Sequence, residues 1–390
     1  MRDIILDANL EGIVAFNLSD LEIHLRQVKD KRSRFGKIYP LSMILVIYIL
    51  ARLSGEDKPS AVTSWYQNRK ELLLSCFDFH HRRLPCLNTI RNVLGNAFDV
   101  EELGIVLTDY LHRTYGGQES CLLTMDGKTM RGTIPKGLTR GVHLLAVYLP
   151  DEGITLKQVK VAAKTNEIGA AKKVLTGVSL KNRVLCADAM QTQRELSVYV
   201  LSKGGNYTWM VKDNQPTLRA DVERFFQPVQ HAAGWHIQPL PRTIAETKDK
   251  GHGRLEVRRL TLIVDDQQFL DWPGVCQVFM IERIITNLRT NKQTTEVVYG
   301  ITSCTPQQCN AQQLLTWIRD YWGIENGLHY RRDVTLNEDA TRLSSPTMAT
   351  AIATINNFVI GLALKLGFTN LAAARRTFDA VIASQLLCKI

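Results

Sequence analysis

The character of the sequence changes at Ser120, and this change constrains the fold more than any other feature. Before it, apolar residues recur at helical spacing, as in Leu21, Leu25 and Val28, which predicts a helical N-terminal domain over residues 1–117. After it, short β-rich runs alternate with helices. Three strands are followed by helix, strand, helix and strand, an order that predicts an α/β fold with a sheet of mixed direction.

The apolar runs after Ser120 have the length and composition of strands. We predict core strands over Leu122–Asp126, Val142–Leu149, Ile154–Val161, Arg183–Asp188 and Tyr207–Lys212. Residues 229–305 are mostly β in character, which predicts a β-rich insertion into the core. The core would then comprise residues 118–228 and 306–345, and a helical tail would cover residues 346–390.

The charge balance is basic, with 48 Lys and Arg against 38 Asp and Glu, a formal charge of +10. This surplus favours polyanionic partners, although many proteins without such partners are mildly basic. Met1, Arg2 and Asp3 do not begin an apolar leader, and the apolar run Leu41–Leu50 is too short to span a bilayer. We therefore expect a cytoplasmic protein with no membrane partner.

Two acids each close a predicted strand, Asp126 after Cys121-Leu-Leu-Thr-Met and Asp188 after Arg183-Val-Leu-Cys-Ala. Functional groups of open α/β sheets gather beyond such strand ends. If the two strands are adjacent and parallel, their ends lie about 5 Å apart. Two carboxylates so close would be stabilised by a divalent cation, and Mg²⁺ prefers carboxylate oxygens. The alternative is that each Asp caps a turn.

A third acid is needed to complete such a site, and Glu325 is the candidate. On an α-helix, Tyr321, Glu325 and His329 would share one face at i, i+4 spacing. The alternative is an ordinary solvated Glu on a surface helix. Four acids compete with Glu325 for the role: Asp320, Asp333, Glu338 and Asp339. The last two follow a predicted break near Thr335, where they would support a basic group.

Several basic and polar residues are candidates for contact with DNA: Lys128, Arg131, Lys164, Lys212, Gln215, His252, Arg254 and Arg258. For each there is a structural alternative, such as a solvated turn, a helix cap or a salt-bridged strand face. The connector Lys29-Asp-Lys-Arg-Ser-Arg34 is likewise either a solvated loop or a contact from the N-terminal domain to the DNA backbone. Cys76, His80, His81 and Cys86 match no common zinc spacing, so we expect no metal there.

Eight short motifs in order give the chain a specific likeness. They are Phe35-Gly-Lys-Ile-Tyr-Pro40, Asp126-Gly-Lys-Thr-Met-Arg-Gly132, Lys164-Thr-Asn-Glu-Ile168, Ala187-Asp-Ala-Met-Gln191, Val211-Lys-Asp-Asn-Gln215, Gly251-His-Gly-Arg-Leu-Glu256, Trp322-Gly-Ile-Glu-Asn326 and Asn337-Glu-Asp339. With them the chain resembles bacterial insertion-sequence DDE transposases of the ISAs type, most closely the group containing the H-repeat-associated proteins of Rhs elements. The chain departs from that pattern at Tyr330, Arg331 and Arg332, where Trp and apolar residues are expected, and at Asn356 and Asn357, where Arg is expected.

The resemblance implies a ribonuclease-H-like catalytic core with a β-rich insertion before the last acid. It implies that Asp126, Asp188 and Glu325 bind Mg²⁺, for which Mn²⁺ can substitute. The implied activity is cleavage and joining of DNA strands at the ends of the element. The implied partners are double-stranded DNA, the terminal inverted repeats and target DNA, with self-association in the DNA complex. When bound to DNA, the protein would be associated with the bacterial nucleoid.

Two other functions stay open. One is a catalytically inactive DNA-binding protein derived from a transposase, and the other is a metal-dependent cellular nuclease with the same core.

Overall fold

The computed structural model describes residues 4–7, 13–77, 82–116, 120–161, 167–227, 240–251 and 253–387. The chain forms two compact units. Unit 1 comprises Met1–Glu119, Gly127–Ala170 and Ile324–Ile390, and unit 2 comprises Ser120–Asp126 and Ala171–Gly323.

The helices and strands follow one another in an order close to that predicted from the sequence. The α-helices are α1 (Leu18–Leu25), α2 (Leu41–Leu53), α3 (Pro59–Asn68), α4 (Lys70–Cys76), α5 (Leu87–Asn96), α6 (Val100–Tyr115), α7 (Glu167–Leu175), α8 (Arg194–Ser202), α9 (Pro216–Arg224), α10 (Ala311–Tyr321), α11 (Pro346–Lys365) and α12 (Leu371–Leu387). The strands are β1 (Ile4–Asp7), β2 (Ile13–Phe16), β3 (Leu122–Met130), β4 (Val142–Leu149), β5 (Ile154–Val161), β6 (Val184–Ala187), β7 (Asn206–Val211), β8 (Arg242–Gly251), β9 (Arg254–Val264), β10 (Gln277–Asn287) and β11 (Gln293–Thr302).

Helix α11 lies in the core of unit 1. It begins at Pro346, and the side chain of the N-cap Ser345 accepts a hydrogen bond from the Met348 amide. It packs against α5, α6 and β5. Its length and hydropathy would suit a membrane span, but 89% of its apolar stretch is buried inside the protein, as in the core helix of a globular domain. In unit 1, strand β4 neighbours both β3 and β5 and runs antiparallel to β5.

Unit 2 is built on parallel strands extended by a long antiparallel ribbon. Strand β6 pairs in parallel with β3 on one side and with β7 on the other. Strands β11, β10, β9 and β8 then follow β7 in antiparallel order. Helix α10 packs on this sheet because its apolar residues recur at helical spacing, and Asn310 and Gln313 close a capping box at its start.

The α/β class, the helical N-terminal region, the mixed strand directions and the β-rich insertion are confirmed. The strand order in both units is that of a ribonuclease-H-like core, as predicted. The sequence prediction missed strand β8, whose side chains are mostly exposed at the sheet edge, so that no apolar alternation marks it. It also missed the short β1–β2 pair. The domain boundaries drawn from the sequence stay a prediction.

Candidate functional site

Asp126 and Asp188 follow directly after paired positions of two adjacent parallel strands in unit 2. The last pair in the register of β3 and β6 is Met125 with Ala187, so the two acids stand one step beyond it. Neighbouring strands lie about 4.8 Å apart, and equivalent positions of parallel strands project to the same face. Asp126 is half-buried and Asp188 is exposed. The geometry at this edge is therefore the one that the sequence predicted for the first two acids.

The prediction that strand β3 ends at Asp126 is wrong. The strand continues to Met130, and its pairing with β6 ends at Met125. The continuation alternates buried and half-buried positions, with Lys128 and Met130 buried. The sequence prediction ended the strand at Asp126 because the apolar run Cys121-Leu-Leu-Thr-Met closes there. Asp126 thus lies within a continuous strand at the point where its parallel neighbour stops.

Asp188 also caps a short 3₁₀ turn, Ala189–Gln191. One of its carboxylate oxygens accepts a hydrogen bond from the Ala189 amide at 2.5 Å. The Asn214 side chain holds the same turn by donating to the Ala189 carbonyl at 2.7 Å. Capping occupies one oxygen of an exposed carboxylate, which leaves the group able to bind a cation as well.

A buried pair next to Gly127 was not foreseen. In unit 1, Glu167 accepts a hydrogen bond from His143 over 2.6 Å, and Thr129 lies 2.8 Å from the other ring nitrogen of His143. A Cβ at Gly127 would lie 2.6 Å from the nearer oxygen of this carboxylate, so a larger residue there would displace the Glu167 carboxylate. The one sequence signal was a histidine within the apolar strand β4. The pair lies against the part of strand β3 that follows Asp126, at Gly127 and Thr129.

Glu325 lies in a π-helical turn, Ile324–His329, and not in an α-helix. Helix α10 ends at Tyr321, so the predicted i, i+4 face does not form. Tyr321 and His329 are buried whereas Glu325 is exposed, which confirms that the three do not share a face. Burial and the positive charges of Arg332 and Lys128 hold the pKa of His329 well below its usual value. Single π turns of this kind often occur at functional sites.

The other candidates in unit 1 for the third acid are paired with basic residues. Asp333 accepts a hydrogen bond from the Lys128 amine at 2.5 Å. Asp339 accepts a hydrogen bond from the backbone amide of Arg131 at 2.8 Å, and its other oxygen lies 3.7 Å from the Arg131 guanidinium. Glu338 accepts three from the buried Arg332 guanidinium, at 2.7–3.1 Å. The sequence prediction that Glu338 and Asp339 support basic groups is confirmed.

Glu338 is the centre of a buried network. Arg332 also donates to Gln158 at 3.1 Å, and Asn356 donates to Glu338 at 2.9 Å. Arg52 in turn donates to the Asn356 side-chain oxygen. Burial acts to raise the pKa of Glu338, but the charge and hydrogen bonds of Arg332 outweigh it, so the pKa lies below the usual value. Burial raises the pKa of Asp333 in spite of Lys128.

The candidate DNA contacts occupy different environments. Lys128 is buried and paired with Asp333, which contradicts the exposed position expected of a phosphate contact. Gln215 is half-buried and donates to the Thr192 carbonyl, which is a structural role. Arg131, Lys212 and Arg254 are exposed. Lys164 and His252 lie outside the described residues.

Arg258 is part of a cluster in unit 2 that includes a tryptophan. It pairs with Asp249 at 2.6 Å and with Glu256 at 2.7 Å. The guanidinium groups of Arg258 and Arg283 lie 5.8 and 4.9 Å from the ring centre of Trp322. Cation–π contact of this kind stabilises the end of helix α10, three residues before Glu325. The salt-bridged interpretation of Arg258 is therefore favoured over a DNA contact.

Arg254 is exposed whereas Arg258 is paired with two acids, and this difference gives a testable prediction. Arg254→Ala should weaken DNA binding and lower the slope of log K against log salt by about 1, because one phosphate contact is lost. Arg258→Ala should leave that slope unchanged and instead lower the stability of unit 2, since Glu256 loses a buried partner. The measurement is fluorescence anisotropy with duplex DNA across a salt series. Equal slope changes in the two variants would contradict the assignment.

Among the residues that the structure describes, no three His, Cys, Asp or Glu side chains are grouped as ligands for an ion. His80 and His81, which the sequence placed near Cys76 and Cys86, lie outside that part of the chain. The oxygen donors of Asp126 and Asp188 suit Mg²⁺ in type, and their register suits a shared ion. The identity of the third ligand is therefore a proposal.

The chain belongs to the Transposase DDE domain family, whose model matches residues 117–362, more than half of the chain. A second model, described as DDE_Tnp_1-associated, matches residues 23–111.

Among relatives, the chain is similar to "Putative transposase YncI" of Escherichia coli O157:H7, with 28% identity over 89% of this chain and 87% of the relative. It is similar to "H repeat-associated putative transposase YhhI" of Escherichia coli K12, with 26% identity over 88% of this chain and 90% of the relative. A piggyBac transposase synaptic complex with hairpin DNA aligns at a TM-score of 0.43 and 10% identity, covering 94% of this chain and 79% of that one.

Proposed function

We propose that this protein is a transposase that cleaves DNA at the ends of its own element and joins the freed ends to target DNA. The observation that carries the proposal is the placement of Asp126 and Asp188 side by side, beyond the paired parts of two parallel strands. Because the chain belongs to the transposase family, we interpret these two carboxylates as metal ligands. In such a protein the pair would hold a divalent cation.

Glu325 is our proposal for the third carboxylate. It is exposed, and it follows the motif Trp322-Gly-Ile on which the family resemblance depends. Asp333, Glu338 and Asp339 are held by Lys128, Arg332 and Arg131, and a carboxylate already neutralised by a cation is a poorer ligand. Mg²⁺ bound to these acids would lower the pKa of water and stabilise the leaving oxygen of an in-line displacement; Mn²⁺ would substitute.

The chain's own residues prepare this site in three places. The His143–Glu167 pair lies against the strand after Asp126, and the 3₁₀ turn fixes the backbone at Asp188. The Trp322 cluster fixes the end of helix α10 ahead of Glu325. Cleavage would free a 3′-hydroxyl, which would attack a phosphodiester of the target, so that one P–O bond forms as another breaks. Two element ends must be processed together, so we expect self-association on DNA.

The function is tested with supercoiled plasmids that do or do not carry the inverted repeats flanking the gene. A transposase should nick or cut the repeat-bearing plasmid in Mg²⁺, at the repeat ends, and stop when EDTA removes the metal. Cleavage of both plasmids alike would favour a cellular nuclease. Specific binding to the repeats at stated salt, without cleavage in Mg²⁺ or Mn²⁺, would identify an inactive DNA-binding derivative.

A further inference from the structure

The connector after helix α1 presents an aromatic side chain to solvent. Phe35 is 93% exposed and Ile38 is 58% exposed, whereas the next residue, Tyr39, is half-buried. Single exposed apolar residues are common on protein surfaces, but an almost fully exposed phenylalanine beside a second exposed apolar residue is informative. We name Arg34, Phe35, Lys37 and Ile38 the basic tip.

The basic tip stands on a connector with defined hydrogen bonds. The Arg32 guanidinium pairs with both oxygens of Asp30 and also donates to the Tyr39 carbonyl at 2.7 Å. These bonds join the two ends of the connector. Lys37 donates to the Asp30 carbonyl at 3.2 Å. The Lys31 amide donates to the Ala97 carbonyl at 2.7 Å, which ties the connector to the rest of unit 1. The exposure of Phe35 is therefore imposed by the fold of the connector.

The charge around Phe35 identifies the kind of partner. Five basic residues and one acid lie between Lys29 and Lys37, and the acid, Asp30, is paired with Arg32. Lys31 is paired with Asp99 at 3.4 Å. Lys29, Arg34 and Lys37 are exposed, lie within six residues of Phe35 in the sequence, and form no ion pair within the described part of the chain. Cations beside an aromatic ring are the combination that proteins use to hold phosphates and stack on bases.

We propose that the basic tip is a DNA contact in which Phe35 stacks on a base or enters a base step, while Arg34 and Lys37 bind the flanking phosphates. Apolar side chains act as such wedges in proteins that open or bend DNA. The proposal rests on the proposed function for its partner, and it adds a contact in unit 1 at Phe35.

The test measures binding of the full-length protein to a fluorescein-labelled mixed-sequence duplex by anisotropy, over a range of salt. Phe35→Ala should weaken binding about 5- to 150-fold, the range expected for loss of one stacked base, with no change in salt slope. Arg34→Ala should lower the slope by about 1. Phe35→Trp should bind as the wild type does, and its added fluorescence should be quenched by DNA.

Ile105→Ala is the matched control, because Ile105 is 59% exposed on helix α6 and lies outside the basic tip. Equal binding by the wild type, Phe35→Ala and Ile105→Ala would overturn the proposal. So would a Phe35→Ala variant that binds DNA normally but loses self-association in sedimentation, since that would mark a protein interface. These outcomes concern binding alone, so they are distinguishable from a failure of metal-dependent cleavage, which would refute the proposed function instead.

Discussion

Asp126→Asn and Asp188→Asn are each expected to abolish strand cleavage while leaving the fold intact. The two acids stand at equivalent positions of adjacent parallel strands, and an amide in place of either removes a negative charge and an oxygen ligand. Loss of one ligand should cost several kcal/mol of transition-state stabilisation, hence at least about 10³-fold in rate. The substitution at position 188 is mild structurally, because asparagine caps a helical turn as well as aspartate does.

The measurement is the rate of Mg²⁺-dependent cleavage of the repeat-bearing plasmid, with circular dichroism to confirm folding. Asp271→Asn is the matched control, since Asp271 is a 95% exposed side chain of unit 2 paired with Arg194 at the surface. That variant should cleave at the wild-type rate. Cleavage by Asp126→Asn or Asp188→Asn within a few-fold of the wild-type rate would show that the metal site is elsewhere.

Glu338→Gln is expected to destabilise the protein by about 3–5 kcal/mol, because it would leave the Arg332 guanidinium buried without a counter-charge. Arg332 is fully buried, and it makes three hydrogen bonds to this carboxylate. Unfolding in urea, followed by circular dichroism, measures the loss. Glu296→Gln is the control: its carboxylate is 60% exposed and lies 3.6 Å from Arg283, so a change within about 0.5 kcal/mol is expected.

The same carboxylate predicts a pH dependence. Its pKa in the folded protein lies below the ordinary value of 4.5, so the folded state favours the ionised form. The stability that this provides is fully present above pH 4.5 and is lost as the pH falls through the lowered pKa. Wild-type stability should therefore decrease in that acidic range more steeply than that of Glu338→Gln. Parallel pH profiles of the two proteins would mean that Glu338 is not ionised in the fold.

Three of the departures from the family pattern, Arg332, Asn356 and Asn357, belong to the buried network around Glu338. Arg332 and Asn356 both donate to Glu338, and Asn357 donates to Gln158, which Arg332 also contacts. The guanidinium that the pattern places on helix α11 is here supplied by the π-helical turn Arg331–Thr335. Glu338 therefore keeps a buried cation despite the asparagine at position 356.

The sequence predicted those strands whose own side chains are buried, because burial leaves an apolar pattern in the sequence. Strands β4 and β5 were predicted at their observed bounds, because β4 is an almost continuous apolar run and β5 alternates apolar with polar residues. The parallel strands that carry Asp126 and Asp188 were predicted from the same kind of apolar run. Strand β8 was missed because it is stabilised by pairing with β9 and not by burial of its own side chains.

The region of the third acid could not be derived from periodicity. A π-helical turn changes the spacing of residues on a face, and nothing in a 3.6-residue pattern marks where it begins. The pairing of Lys128 with Asp333 joins residues 205 positions apart, which only the fold brings together. For this reason the sequence made Lys128 a candidate DNA contact, whereas the structure pairs it with Asp333.

The assignment of the third acid is tested most directly by comparing cleavage of the repeat-bearing plasmid by Glu325→Gln and Asp333→Asn, each in Mg²⁺ and each with DNA binding measured in parallel. Our account predicts that Glu325→Gln binds DNA but does not cleave it, whereas Asp333→Asn and Glu338→Gln lose activity only in part. A fully active Glu325→Gln protein beside an inactive, folded Asp333→Asn protein would contradict the account and move the third ligand to Asp333.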